Sequence, residues 1–387
     1  MTPQSRAAQS APISPRPSLV APEPAVLRAA EHIRDGQTMR IAQVAPLSEA
    51  VPPLLYGGTE RIVAYLCDEL VELGHDVTLF ASADSKTTAR LEPCWPNALR
   101  LDPTIRDYLA PHICMLEQLA RRADEFDIVH LHVDYLGYPI MRRAGVPYLT
   151  TLHGRLDLPE LQPIYQIFDD VPVISISDSQ REPLPAANYV ATVHHGLPKD
   201  LLQPGSGAGG YLAFLGRISP EKAPDAAIRI AARAGMKLKI AAKVDKADEE
   251  YFQETIAPLL DQPHVEFVGE IGERQKSAFL GGASGLLFPI AWREPFGLVM
   301  IEAMACGTPV VAFRNGSVPE VVEDGVTGFV VDDEQQAAAA ARRLHQLDRS
   351  AIRSTFDRRF TARRMAEDYL RIYHGLIARR HPLQRAV

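Results

Sequence analysis

Two doubly wound α/β domains facing each other across a cleft are what this sequence predicts, and three observations predict them. From Arg40 onward, short apolar runs alternate with longer helical patterns, which is the rhythm of parallel βα units. The rhythm breaks over a stretch rich in glycine and proline and restarts at Tyr211. The chain has 387 residues, more than one hydrophobic core usually serves, so two domains of ordinary size fit its length.

The elements follow in order. Residues 1–38, rich in Pro, Ala and Ser and without a lasting period, read as a disordered extension lacking the compact apolar block of a secretory signal. Met39, just before the first strand, reads as an alternative start. Ile41–Ala45 predicts a strand. Thr59–Leu73 predicts an amphipathic helix with Ile62, Val63, Leu66, Leu70 and Leu73 inward, stopped by Gly74. Further strands are expected at Val77–Ala81, Ile128–His132, Tyr148–Leu152 and Val173–Ser177, with a shorter one near Val193. These close a first domain, 39–196. The segment 197–210 carries two prolines and the run Gly-Ser-Gly-Ala-Gly-Gly, and reads as a flexible connection. Strands at Tyr211–Leu215, Leu238–Lys243, Val265–Val268, Gly285–Pro289 and Val310–Phe313 then form a second domain, 211–364. A last helix, 365–380, places Met365, Tyr369, Ile372, Tyr373 and Leu376 on one face and is expected to pack back on the first domain. Two open parallel sheets leave a cleft at their carboxyl edges, where ligands of such folds sit.

Composition excludes several classes. A formal net charge of -7 gives no basic excess to steer nucleic acid or an anionic membrane. Four cysteines with no C-x-x-C pair argue against a disulfide framework or zinc site, and fit a reducing cytoplasm. No apolar run approaches the ~20 residues of a spanning helix. The arginine-rich end (Arg363, Arg364, Arg371, Arg379, Arg380) reads more simply as a solvated helix face than as a peripheral membrane contact. Gly205, Gly207 and Gly210 match G-x-G-x-x-G, but a loop precedes them and a strand follows, the reverse of what a dinucleotide fingerprint needs.

Four constellations carry chemistry. In Trp292–Gly307, Pro295 suits a helix's first position and Gly307 the residue past its end. Leu298–Ala305 is apolar all round except Glu302, a costly buried carboxylate unless ligand hydroxyls or a core Lys or Arg answer it. Glu294 stands eight residues earlier, about 12 Å of helical rise, with an anion-binding helix start between the two. Gly216-Arg217-Ile218-Ser219-Pro220-Glu221-Lys222 places two cations where a strand leads into a helix, suited to neutralising a diphosphate. Gly57-Gly58 at a helix start is either a tight turn or a close backbone approach to a ligand. His153, just past a strand, points into the cleft. His130, His132 and Asp134 alternate along a strand about 6–7 Å apart, a line that cannot converge on one metal ion. His194 and His195 carry no assignment.

Glu294 and Glu302 with Phe296-Gly297 between them, and the G-R-x-x-x-x-K pattern ending at Lys222, resemble the signature of retaining glycosyltransferases of family 4, which have the GT-B fold. The resemblance runs from about Met39 to the last helix. It implies that Glu294 contacts hydroxyls of the transferred sugar and Glu302 the ribose. It further implies that Arg217 and Lys222 hold the donor phosphates, that His153 hydrogen-bonds the sugar, and that Gly57, Gly58 and Gly216 face the donor. The turn Glu270-Ile271 would border the base, and Phe296 and Gly297 would line the donor site. Ser317-Val318-Pro319-Glu320 and Gly325–Gly328 repeat further landmarks. The stretch Pro52–Glu60 resembles a bacterial branch with UDP-glucose-dependent transferases acting on small molecules such as tetrahydrobiopterin.

The resemblance implies hexose transfer from a nucleoside-diphosphate sugar, UDP-glucose ahead of GDP-mannose, to a hydroxyl of a small molecule or glycan. No D-x-D occurs, so no metal and no other cofactor is expected, and same-face attack is favoured over a covalent intermediate. The rivals are a sugar-nucleotide 2-epimerase of the same fold and a non-catalytic nucleotide-sugar binder. The acceptor would be met by first-domain loops such as Glu92–Pro111 and Asp134–Pro139.

Overall fold

A computed structural model describes residues 37–54 and 57–384, with side chains to Arg379. Residues 1–36 of the expected 1–38 extension, Leu55, Tyr56, residues 385–387 and the side chain of Arg380 lie outside the described residues. Among the described residues all strands run parallel. The first sheet has seven strands, in the order β3-β2-β1-β4-β5-β6-β7: β1 Arg40–Val44, β2 Asp76–Ser82, β3 Arg90–Trp95, β4 Ile128–Leu131, β5 Tyr148–Thr151, β6 Val173–Ser175 and β7 Tyr189–Thr192. The second has six, in the order β10-β9-β8-β11-β12-β13: β8 Tyr211–Ile218, β9 Lys237–Val244, β10 Val265–Gly269, β11 Gly285–Phe288, β12 Val310–Phe313 and β13 Gly328–Val331. The strand order reverses between β1 and β4 and between β8 and β11, so each sheet opens a crevice there.

Two strands escaped the sequence reading, β3 and β13, and both are edge strands. Pro93 interrupts β3, which is tolerated only where a ladder hydrogen bond is not required. β3 also takes Glu92–Trp95 out of the stretch read as an acceptor loop. β8 runs to Ile218, so Gly216 and Arg217 stand inside the strand rather than after it.

The 197–210 segment is not the flexible connection its composition suggests. Gly205 N–H donates to the Cys306 carbonyl at 3.0 Å, Gly207 N–H to Gly281 at 2.9 Å and Gly209 N–H to Gly282 at 2.9 Å. A Cβ on Gly205 would stand 2.3 Å from the Gly281 carbonyl oxygen, so glycine is there to let two backbones touch. The half-buried Arg349 guanidinium donates to the carbonyls of Gly205, Gly281 and Ala283 and locks the seam.

The final helix, Ala362–Gln384, returns to the first domain. Its buried Met365, Tyr369, Ile372 and Tyr373 form the face that the spacing predicts, and they join the first-domain core of Ile62, Leu66 and Leu70. The chain therefore crosses between domains twice, side by side: Leu197 N–H donates to the Phe360 carbonyl at 2.9 Å and Ala362 N–H to Leu197 at 2.7 Å. A second tie is the Glu320 carboxylate, which accepts from the N–H groups of Asp178 and Ser179, both at 2.7 Å, and so joins the two sheets' flanks. Among the described residues no helix is long and apolar enough to cross a membrane.

At the double crossing, a Cβ on Gly196 would lie 2.2 Å from the Thr361 carbonyl oxygen. Gly196→Ala should therefore destabilise the protein by about 2 kcal/mol or more, read as a lowered denaturant midpoint. An unchanged midpoint would mean the two crossings can separate freely.

Candidate active site

Between the carboxyl edges of the two sheets lies a cleft of about 590 Å³. It is lined by every residue the sequence singled out for donor binding or catalysis: Gly57, Gly58, His153, Gly216, Arg217, Lys222, Glu270, Ile271, Glu294, Phe296, Gly297 and Glu302. The sequence separation of these positions, from Gly57 to Glu302, makes their convergence a consequence of topology alone.

The second-domain wall is set by one short helix, Leu298–Ala305. It begins at Leu298 and not at Pro295, because Gly297 adopts the left-handed φ of 78° that ends the preceding loop. A Cβ there would meet Met300 Cε at 2.8 Å and Phe288 Cζ at 3.0 Å. The loop, rather than a helical turn, therefore carries Glu294, and the 12 Å helical spacing expected between the two glutamates does not apply. Gly297, Leu298 and Val299 line the cleft, so the helix's unpaired amide end opens onto it. Across the gap the helix Gly58–Glu72 starts equally close, with a Cβ on Gly58 placed 3.6 Å from Leu298 Cδ1.

Two of the cleft carboxylates, Glu294 and Glu302, each meet a cation. Glu294 Oε2 accepts from Lys222 Nζ and, at 2.9 Å, from Trp292 Nε1. Glu302, 5% exposed, takes Lys276 Nζ at 2.6 Å, and the same ammonium lies 3.3 Å from Glu273. The buried Glu302 thus has the core lysine that the sequence left as one of two answers. Glu273 also pairs with Arg61 of the first domain. Arg217 donates to Glu221 at 2.5 Å, with Asp245 at 3.8 Å and Asp248 at 3.9 Å. Lys222 and Arg217 therefore stand at the cleft as partly neutralised cations.

Lys276, Arg61 and His195 are among the lining residues that the sequence reading did not assign. Lys276 and Arg61 each look like a solvent-facing charge on an ordinary helix, and nothing in the spacing marks them. His195 left a faint signal in the pair His194-His195; its ring stacks on His153 with centroids 5.3 Å apart, and its Nδ1 is buried without a partner among the described residues. His153 itself bonds His132 Nδ1 through Nε2 at 2.9 Å. Desolvation keeps the His153 imidazole neutral, pushing its pKa down to about 3. The rings of His130 and His132 approach to 4.0 Å, and β4 ends at Leu131, so His132 and Asp134 do not continue the strand on which the sequence places them. Among the described residues no group of three or more His, Cys, Asp or Glu is placed to hold a metal ion.

A model described as Glycosyl transferases group 1 matches residues 206–356, and one described as Glycosyltransferase Family 4 matches residues 56–176. Over 88% of this chain and 98% of the other, the structure superposes on AviGT4, a glycosyltransferase involved in avilamycin A biosynthesis, with TM-score 0.67 and 25% identity. The chain is a glycosyltransferase of the GT-B fold. This glycosyltransferase is also similar to the D-inositol 3-phosphate glycosyltransferase of Streptomyces avermitilis. The two are 27% identical over 344 residues, covering 71% of this chain and 72% of the relative. The enzyme of the same name from Mycolicibacterium smegmatis is 27% identical over 354 residues, covering 75% and 80%. At the level of fold, Anabaena HepE in complex with UDP and glucose has TM-score 0.67 at 20% identity, covering 86% and 98%.

Glu60, in the first turn of the Gly58–Glu72 helix, is 5% exposed and lines the cleft. Burial is the largest cause pushing its carboxyl pKa up to about 7, from 4.5. A folded-state pKa raised in this way favours the protonated acid, so its contribution is full below pH 4.5 and is lost as pH rises through 7. Glu60→Gln should flatten that part of the profile and leave the variant more stable than the parent at pH 8. Melting temperatures measured at pH 5 and pH 8 decide it; parallel decline in both proteins would clear Glu60 of the effect.

Proposed function

We propose that this glycosyltransferase moves a hexose from a nucleoside-diphosphate sugar, of the UDP-glucose type, to a hydroxyl of a small polyhydroxylated acceptor, with retention and without a metal. The observation that carries the reading is the arrangement on one wall: Lys222 with Glu294, Arg217 with Glu221, and Lys276 with Glu302 on the helix that follows. A diphosphate fits Arg217 and Lys222 beside the amide end of the Leu298–Ala305 helix, where departing charge is stabilised. Glu294 then faces the sugar and Glu302 the ribose. The relatives' name supports an inositol phosphate or a similar polyol as acceptor, and the neighbour bound to UDP and glucose supports the donor.

In the proposed reaction the anomeric carbon loses the diphosphate and the acceptor oxygen attacks the same face. The acceptor's proton passes to the departing phosphate oxygen, so no protein nucleophile is required. His153, held neutral, contributes a hydrogen bond to the sugar rather than a charge. Closing the domains around the cleft keeps water from competing with the acceptor.

Two measurements test the donor side. EDTA should leave transfer largely intact; activity lost on chelation and restored by magnesium or manganese would overturn the metal-independent reading. Lys222→Ala should reduce turnover on the order of a hundredfold and weaken bare UDP, while unchanged UDP affinity would place the phosphates elsewhere.

The two glutamates should separate. Glu302→Ala should weaken free UDP, because ribose is bound equally in ground and transition states. Glu294→Ala should spare UDP and fall on kcat, because hydroxyl contacts change as the ring flattens. Calorimetry with UDP on both variants reads this directly, and the opposite pattern reverses the assignment. Proton NMR of the glucosylated product gives the anomeric configuration; an inverted product would rule out same-face attack.

A further inference from the structure

Behind His153, on the side away from the cleft, six buried polar side chains form a continuous chain that the proposed reaction does not itself use. His132 Nδ1 lies 2.9 Å from His153 Nε2, and His132 Nε2 lies 2.8 Å from Gln43 Oε1. Gln43 Nε2 donates to the Tyr373 hydroxyl at 3.0 Å, and that hydroxyl lies 2.7 Å from His130 Nδ1. His130 Nε2 lies 2.7 Å from Thr151 Oγ1, which is 2.9 Å from the Tyr369 hydroxyl. None of Gln43, His130, His132, Thr151, Tyr369 and Tyr373 is more than 2% exposed. The chain draws on β1, β4, β5 and the returning C-terminal helix.

A neutral imidazole has one N–H and one lone pair, so the direction of each bond sets the next. Gln43 turns its NH2 toward Tyr373 and leaves its carbonyl oxygen to accept, which requires the proton of His132 to be on Nε2. Burial holds His132 neutral, far below the usual imidazole range, so its Nδ1 is a bare acceptor. It therefore receives the N–H of His153 Nε2. The other His153 nitrogen, Nδ1, is left as a lone pair; it is buried without a partner among the described residues, in a side chain that lines the cleft. The far half runs the same way, with Tyr373 donating to His130, His130 to Thr151 and Thr151 to Tyr369.

We propose that Gln43 and His132 are positioning residues that fix His153 as its Nε2–H tautomer, so that Nδ1 accepts a hydrogen bond from a hydroxyl of the transferred sugar. The sugar contact rests on the function proposed above, whereas the tautomer does not, and the two are read separately. Nitrogen-15 NMR of the full chain labelled in histidine reports the tautomer, with His153→Asn identifying the His153 signals.

The parent should show His153 protonated at Nε2 alone. Gln43→Leu should show both tautomers, and Gln43→Glu, which keeps an acceptor toward His132, should restore one. Should Gln43→Leu fail to fold, Tyr373→Phe removes only the hydroxyl that orients the Gln43 amide and should give the same mixture. In turnover, Gln43→Leu should lower kcat about tenfold with UDP affinity unchanged, since Gln43 does not line the cleft. A parent protonated at Nδ1, or a tautomer unmoved in both Gln43→Leu and Tyr373→Phe, would overturn the proposal. A shifted tautomer with kcat unchanged would overturn the sugar contact and leave the tautomer lock standing.

Discussion

A carboxylate withdrawn from water is costly unless a cation or several donors meet it, and the cleft is organised around that constraint. Glu302 can occupy an otherwise apolar helix because Lys276 reaches it from the neighbouring helix Glu273–Gly282. Glu294 is held by Lys222 and Trp292 together, which fixes the loop that carries it. Glu273 draws Arg61 across from the first domain and so uses the same kind of pair to bring the walls together. Positions that belong to different elements are thereby set relative to each other before any ligand arrives. In the function proposed above, a sugar nucleotide would replace some of these carboxylate–cation contacts with phosphate–cation ones, an exchange of like for like that avoids exposing an unpaired buried charge.

Much of this was legible in the sequence, for identifiable reasons. The strands beside the second domain's crevice, β8 up to Leu215 and β11, are apolar runs because both faces are covered, and Glu302 stands out because the residues around it are apolar. Lys276 and Arg61 could not be read, since a helix lysine or arginine that turns inward has the same local sequence as one that faces solvent. The start of the Leu298 helix was displaced because Pro295 is a good first-turn residue, whereas the left-handed Gly297 that overrides it is fixed by Phe288 and Met300, contacts made only in the folded state. Glycines at 205, 207 and 209 suggested mobility from composition, while packing against Gly281 and Gly282 gives them the opposite role.

The first domain contributes its polar groups differently. Where the second domain uses ion pairs at the cleft surface, the first domain buries neutral histidines, tyrosines and a glutamine beneath it. Such a network is stabilising only when complete, and it specifies one arrangement of its members. Two of those members, Tyr369 and Tyr373, come from the last helix, so the C-terminal segment is part of the support beneath His153 rather than an appendage.

The paired crossings at Leu197 and Thr361 also have a mechanical consequence. A single tether would permit the two halves to swing, twist and slide, whereas two chain segments bonded to each other along a common line resist twist and sliding, as the pin of a door does. The seam through Gly205 and Arg349 keeps that pin short. Any opening about that line would return the walls to the same register, so registration of donor against acceptor would be a property of the axle and need not be found afresh by each substrate.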